Sequence, residues 1–515
     1  MSERRQGDPP LRLMKANVSA FFDVLKWIWR AFGIASIVII FVITSVMALI
    51  VPGLVFPAAL AGVTASYIIF VVFVCWKDPM RFVSSMWHSS LAKAYQEQGL
   101  WEAAEELANS MINPIEADDA SNNLLGMSQL QLIYIRQGKL GKAQKIAENI
   151  YELESSKRLQ DDLAHEMLPY HMNTLAAINS ARGSYSDAFK LITESKRQLE
   201  RDERKRSPAY GTVLIALGEI HSERHEFAKA REALQEYYQH WFDMTNNQSA
   251  NRNDELVKTD TADKTDIALY WLVSGRLLRY EKKYEQAEKE LLEGVKIMKD
   301  EALQRRKVLT LPELLWELGY VTLDTGRIKE AESYFDRAVT YYKKRTVYIG
   351  PALGDALAGL AYARFKLNSK NKGDTKADLE RALKLKEAEL VPEHPSIAKT
   401  LTYFADVHAE EKNFEEAEKI MERAMSIYTN LYGADDRESA DSRVKTADLY
   451  EVMNSNEDAR QAASAKGFDL HGKAIALYRE AMDSYRKMSD VSVDVINKLQ
   501  SKIDSDTTTM ESKAG

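Results

Sequence analysis

Cysteine is almost missing from this chain. One residue, Cys75, in 515 excludes an intramolecular disulfide framework and a cysteine-rich zinc site. Proline and glycine are scarce, at 12 and 23 residues against 45% apolar side chains. That balance excludes a turn-rich strand architecture and favours helices. A positive excess is missing too: the formal net charge of −7 argues against nucleic acid as the main partner. There is no Gly-rich phosphate loop and no G-x-S-x-G elbow. His165-Glu166 followed by His171 departs from the H-E-x-x-H spacing, so the two imidazoles do not share a metal-facing side of a helix. Asp324-Thr325-Gly326 matches the aspartic-protease triplet in letters only and reads as a turn. The expectation is a non-enzymatic protein with no cofactor and no metal.

Charge is missing altogether from Ala31 to Trp76, far beyond the roughly 20 residues that one membrane span needs. The run fits two spans, residues 31–51 and 54–76, with Pro52-Gly53 as the bend. Arg4, Arg5, Arg12, Lys15, Lys26 and Arg30 precede it, Lys77, Arg81 and Lys93 come after it, and the bend carries none. Both ends are therefore expected on the cytoplasmic side, at the inner or plasma membrane in a bacterium. Ala58, Gly62 and Ser66 recur every fourth residue, a spacing that lets helices pack closely in lipid. They serve either the hairpin itself or docking to another membrane protein.

The rest of the chain is repetitive. In residues 311–344, Leu315, Leu318 and Gly319 form one apolar stripe, and Ile328, Ala331, Phe335 and Ala338 form another, on either side of a turn at Gly326. Spacings of three and four make this a helical hairpin with one sticky side, which needs neighbours of its own kind. Leu-Gly, turn glycine, then Ala, Phe and Ala at fixed steps resembles the tetratricopeptide repeat. Copies recur from Leu91-Tyr95-Gly99-Trp101-Ala104 through Phe404-Ala405-Phe414-Ala417-Ala424, and a degenerate ninth has Thr446-Ala447, Tyr450 and Ala459. Their period of about 42 residues exceeds the usual 34. With His394-Pro395, the turn Asn413–Glu418 and Leu431–Asp435, the unit resembles the kinesin light chain repeats. That resemblance implies a right-handed solenoid of eight to nine hairpins over about residues 86–490, with a partner segment bound in its concave groove. The family's asparagine pair in the first helix is Thr402-Tyr403 here, and Asn173 keeps one of the two.

The fold class expected is therefore all-α: a tetratricopeptide-type solenoid behind a two-helix membrane hairpin. The divisions are 1–30, an N-terminal segment; 31–76, the hairpin; 86–242, the first part of the array; 243–266, a polar loop; 267–490, the second part and its cap; and 491–515, a helix end and disordered tail. By analogy with the family, Arg276, Arg279, Trp316 and Tyr320 face the groove, arginine and aromatic residues being frequent at binding hot spots. The alternative is that Trp316 and Tyr320 pack against a neighbouring repeat. The function expected is a membrane-anchored adaptor for a protein or peptide partner, its other partner being the bilayer. The rival is an assembly subunit held through Ala58, Gly62 and Ser66.

Overall fold

The computed structural model describes residues 88, 90–96, 100–112, 120–155, 162–205, 207–250, 261–299, 309–345, 350–367, 375–488 and 491–514. Among the described residues every regular element is a helix. In chain order these are α1 (Trp101–Ser110), α2 (Ala120–Gln137), α3 (Leu140–Ser155), α4 (Asp162–Arg182), α5 (Tyr185–Arg201), α6 (Pro208–Glu223) and α7 (Phe227–Ala250). Then come α8 (Thr261–Tyr280), α9 (Tyr284–Met298), α10 (Thr310–Asp324), α11 (Ile328–Arg345), α12 (Pro351–Lys366) and α13 (Thr375–Glu387). The last are α14 (Pro395–Glu410), α15 (Phe414–Tyr432), α16 (Arg437–Ser455), α17 (Glu457–Ala465), α18 (Leu470–Arg486) and α19 (Val493–Ala514). They fall into two compact units, residues 1–136 with 142–164, and 137–141 with 165–515.

In the first unit, Leu91 and Ala94 bury against Leu107 of α1. Tyr134 of α2 donates to the Glu105 carboxylate at 2.8 Å.

In the second unit one hairpin turn recurs. The amides of Ser184, Glu226, Lys283, Arg327 and Asn413 donate to the carbonyls of Asn179, His221, Leu278, Thr322 and His408 at 2.8 to 2.9 Å. This six-to-one bond closes a helix around a left-handed residue. That residue is Gly183, His225, Lys282, Gly326 or Lys412, with φ of 95°, 57°, 60°, 79° and 60°. Only glycine enters this region without steric cost, so the three side-chain-bearing turns stand out.

Close helix approach comes from small residues facing a large one. Phe335 of α11 is fully buried. A Cβ on Gly319 of α10 would lie 2.7 Å from its ring, and one on Gly359 of α12 would lie 2.3 Å away. Phe335 thus wedges between two first helices and sets the step from one hairpin to the next. The core does not break at the polar stretch after α7. Val273 and Leu277 of α8 belong to the cluster built by α5 to α7, while Ala268 and Leu272 of the same helix belong to the following one.

Three expectations are corrected. The polar loop assigned to 243–266 is shorter, because α7 continues to Ala250 and α8 begins at Thr261; only 251–260 lie outside the described residues. The segment 491–515, assigned as a helix end and disordered tail, is helical over Val493–Ala514. In both places an existing helix is extended, and each added residue gains a backbone bond without a new nucleus. The ninth hairpin is closed by α18 rather than by the helix carrying Ala459. Helix α16 packs on α18, with Ala474 and Ala481 buried, and α17 has no buried residue. No helix among the described residues is long and apolar enough to cross a membrane. The N-terminal segment 1–30 and the hairpin expected at 31–76, with Ala58, Gly62 and Ser66, lie outside the described residues.

Candidate functional site

The first helices of successive hairpins in the second unit touch one another through charged and aromatic side chains. Residues 313, 316, 317 and 320 form one stripe of α10 at spacings of three and four. Glu317, with no solvent exposure, is the centre. Arg276 of α8 donates from Nε to one Glu317 oxygen at 2.5 Å, and Arg279 donates from Nε to the other at 2.8 Å. Arg276 also reaches back to α6, donating to Glu219 at 3.0 Å and to Glu223 at 3.5 Å. The Tyr280 hydroxyl donates to Glu223 at 3.0 Å.

Aromatic rings pave the same wall. The Arg276 guanidinium lies 5.5 Å from the Trp316 ring, and Arg279 lies 5.5 Å from that of Tyr320. The Tyr320 hydroxyl donates to the Asp355 carbonyl of α12 at 3.1 Å. Tyr362 stacks on Tyr403 of α14 at 3.9 Å. Lys399 of α14 brings its ammonium 3.5 Å from the Tyr320 ring, so α14 reaches past α12 to α10.

Charge states follow from this packing. Burial pushes Glu317 up, but Arg279 and Arg276 outweigh it and hold the carboxyl below its usual range. Burial likewise opposes charge on Arg276 and Arg279, and Glu317 more than restores it. Two groups on the wall take no part in these ion pairs. Glu313 is pushed up to about 7, first by burial and then by Glu219, Glu317 and Asp355 against the pull of Arg276. Lys399 is pulled down to about 7, first by burial and then by Arg279.

The sign of the Lys399 effect is checkable. The folded group loses its proton near pH 7, whereas in the unfolded chain it keeps it to about 10.4. The unfolded state binds more protons in that window, so folding stability rises with pH from 7 towards 10. Lys399→Met is expected to raise stability at pH 7 and flatten that rise, read as denaturation midpoints across the window. An unchanged slope would show that Lys399 is not the group responsible.

The structure brings Arg276, Arg279, Trp316 and Tyr320 together, and it buries Trp316 and Tyr320 to 8% and 2% exposure. These two aromatics pave the wall and also pack between repeats. Asn173 of α4 is separate from that cluster: its Nδ2 donates to Thr212 of α6 at 3.3 Å. The sequence reading missed the carboxylates. Glu313 and Glu317 were legible as the acidic members of the α10 stripe. Lys399 carried no sequence signal, because its neighbour Tyr320 lies two hairpins earlier.

Stacked hairpins with this turn and this small-residue register define an all-α helical-repeat solenoid. The tetratricopeptide repeat profile matches residues 396–464, which span α14 to α17. No curated protein sequence matches significantly. Among solved structures, a Rap protein complexed with competence and sporulation factor is similar at 13% identity, over 79% of this chain and 97% of its own, with a TM-score of 0.48. The apo quorum sensor NprR from B. thuringiensis is similar at 15% identity, over 71% and 93%, with a TM-score of 0.43. A putative kinesin light chain from Podosopora anserina is similar at 16% identity, over 43% and 95%, with a TM-score of 0.29. At these values nothing about ligands passes from them to this chain.

Proposed function

We propose that this protein is a membrane-anchored adaptor, not an enzyme, and that its solenoid takes up a segment of a partner protein along the inner wall. One observation carries this reading: beside a wall of paired charges, Glu313 and Lys399 make no ion pair within 4 Å among the described residues, and the Lys399 ammonium lies instead 3.5 Å from the Tyr320 ring. A charged group in a covered site is stabilised by an opposite charge and costs free energy without one. A partner that brings an anionic side chain to Lys399 and a cationic one to Glu313 supplies what each lacks. Glu313 and Tyr320, over which Lys399 sits, are two helical turns apart, roughly 10 Å at 1.5 Å per residue. About three extended residues span that distance. The uncharged run Ala31–Trp76 is the proposed anchor, which confines the solenoid and its partner to one surface and raises their effective concentration.

Arg276 and Trp316 are poor probes of this function, because both also hold hairpins together. Lys399→Gln and Glu313→Gln are better. In membranes from cells expressing the full chain, each is expected to reduce capture of the wild-type partner set on the order of tenfold, as for loss of one charge-assisted contact, with unchanged helical circular dichroism. Capture equal to wild type in both variants would remove the wall as the binding surface. The anchor is read separately: the chain should stay with the membrane pellet in alkaline carbonate, and its appearance in the supernatant would remove the anchor.

A further inference from the structure

Three consecutive hairpin turns of the second unit do not end in solvent. Each reaches a segment two hundred or so residues on in the first two cases, and more than one hundred and fifty in the third. At the α4–α5 turn, the Arg182 carbonyl accepts from the Val391 amide at 2.9 Å. Gly183 lies so close that a Cβ there would be 2.7 Å from Val391 and 2.8 Å from His394. At the α6–α7 turn, the His225 ring stacks on Tyr432 at 3.7 Å, and its Nδ1 is 2.9 Å from the Asp436 carboxylate. At the α8–α9 turn, Lys282 donates to Glu438 at 3.3 Å and Asp441 at 3.2 Å. The receiving residues precede α14, end α15 and begin α16, so the early hairpins meet the late ones across the wall.

The backbone marks two of these turns as special. His225 and Lys282 occupy left-handed positions that disfavour any residue with a Cβ. The same position in the α10–α11 turn is Gly326, where an added Cβ would have nothing within 4 Å. At His225 and Lys282 the strained conformation coincides with a side chain that makes a cross-solenoid contact. Lys412 shares the conformation and takes no part in these contacts, which makes it a control.

We infer that the turns at Gly183, His225 and Lys282 form a latch that holds the solenoid closed over the inner wall and limits access to it. This rests on the reading of that wall as the partner's site and names its regulation. A closed solenoid that must open before binding lowers apparent affinity by the fraction open, so whatever loosens the latch strengthens capture.

Glycine substitution separates the latch from the turn. His225→Gly together with Lys282→Gly removes both side chains while giving each turn the residue its φ prefers. The probe is acetylation of Lys399 by an N-hydroxysuccinimide acetate, followed by peptide mass mapping on the full chain in detergent micelles. Spin labels at exposed Glu232 and Lys419, in a Cys75→Ser background, report the separation of α7 from α15. In the double variant, which loses the three charge-assisted contacts of His225 and Lys282, Lys399 acetylation is expected to rise by roughly tenfold or more, and a second, longer label distance should appear. Lys412→Gly should change neither. Unchanged acetylation in the double variant overturns the gating, whether or not the label distance moves. A rise matched by Lys412→Gly also overturns it, because backbone relief alone would then suffice. Neither reading depends on identifying the partner, so failure of the groove assignment in partner capture remains a separate result.

Discussion

Glu317→Gln is expected to destabilise the second unit by about 3–5 kcal/mol, the range for removing one partner of a buried ion pair. Glu317 has no solvent exposure and binds Arg276 and Arg279 with its two oxygens. Without its charge, Arg279 keeps no carboxylate in that cluster, and Arg276 keeps only Glu219 and Glu223. Neither arginine can shed its proton to relieve the cost. The loss should appear as a lower denaturant midpoint and as faster amide exchange in α8 and α10. Exchanging Glu317, Arg276 and Arg279 together for apolar residues of similar size should recover most of it, since the penalty is an uncompensated charge rather than a lost contact. If the single variant is as stable as wild type, water enters this wall freely and the account of its charge states fails.

Phe335→Ala should cost a further about 3–5 kcal/mol, the range for deleting a buried aromatic ring. The reciprocal change tests the same wedge from the other side. Gly359→Ala places a methyl 2.3 Å from the Phe335 ring, and overpacking of that kind costs about 1–3 kcal/mol. The two positions share one space, so Phe335→Leu should lessen the cost of Gly359→Ala, and the pair should be non-additive in denaturation. Strict additivity would mean that α12 does not rest on Phe335. Stability in stacked repeats is held by nearest-neighbour interfaces, so Phe335→Ala should loosen α10 to α12 first.

The wall and the latch differ in how they use charge. On the wall, burial has to be overcome before Glu317 is ionised, and two arginines are needed to do it. At the latch, Lys282 and its partners Glu438 and Asp441 are about a quarter to a third exposed, and such pairs contribute less and are screened by salt. The wall thus supplies stability and the latch supplies a contact weak enough to release.

Local chemistry decided what the sequence alone could show. Helix periodicity, the Gly-Phe-Ala steps and Gly326 were enough for an all-α stack of hairpins, because each hairpin is specified by residues within one repeat. The grouping of Trp316 and Tyr320 with Arg276 and Arg279 came from the resemblance to the repeat family, which implies which helix faces line the groove. Residues 243–250 and 505–514 misled because polar composition does not oppose extending a helix that already exists. The ninth hairpin misled because a short helix, α17, intervenes between two packing partners, and spacing cannot tell which helix returns to the core. Only the tertiary structure decided that Lys399 lies on Tyr320, that His225 stacks on Tyr432, and that Lys282 meets α16. Those contacts depend on curvature summed over many small steps between hairpins, and a sequence pattern repeats the step without stating where the sum brings the chain.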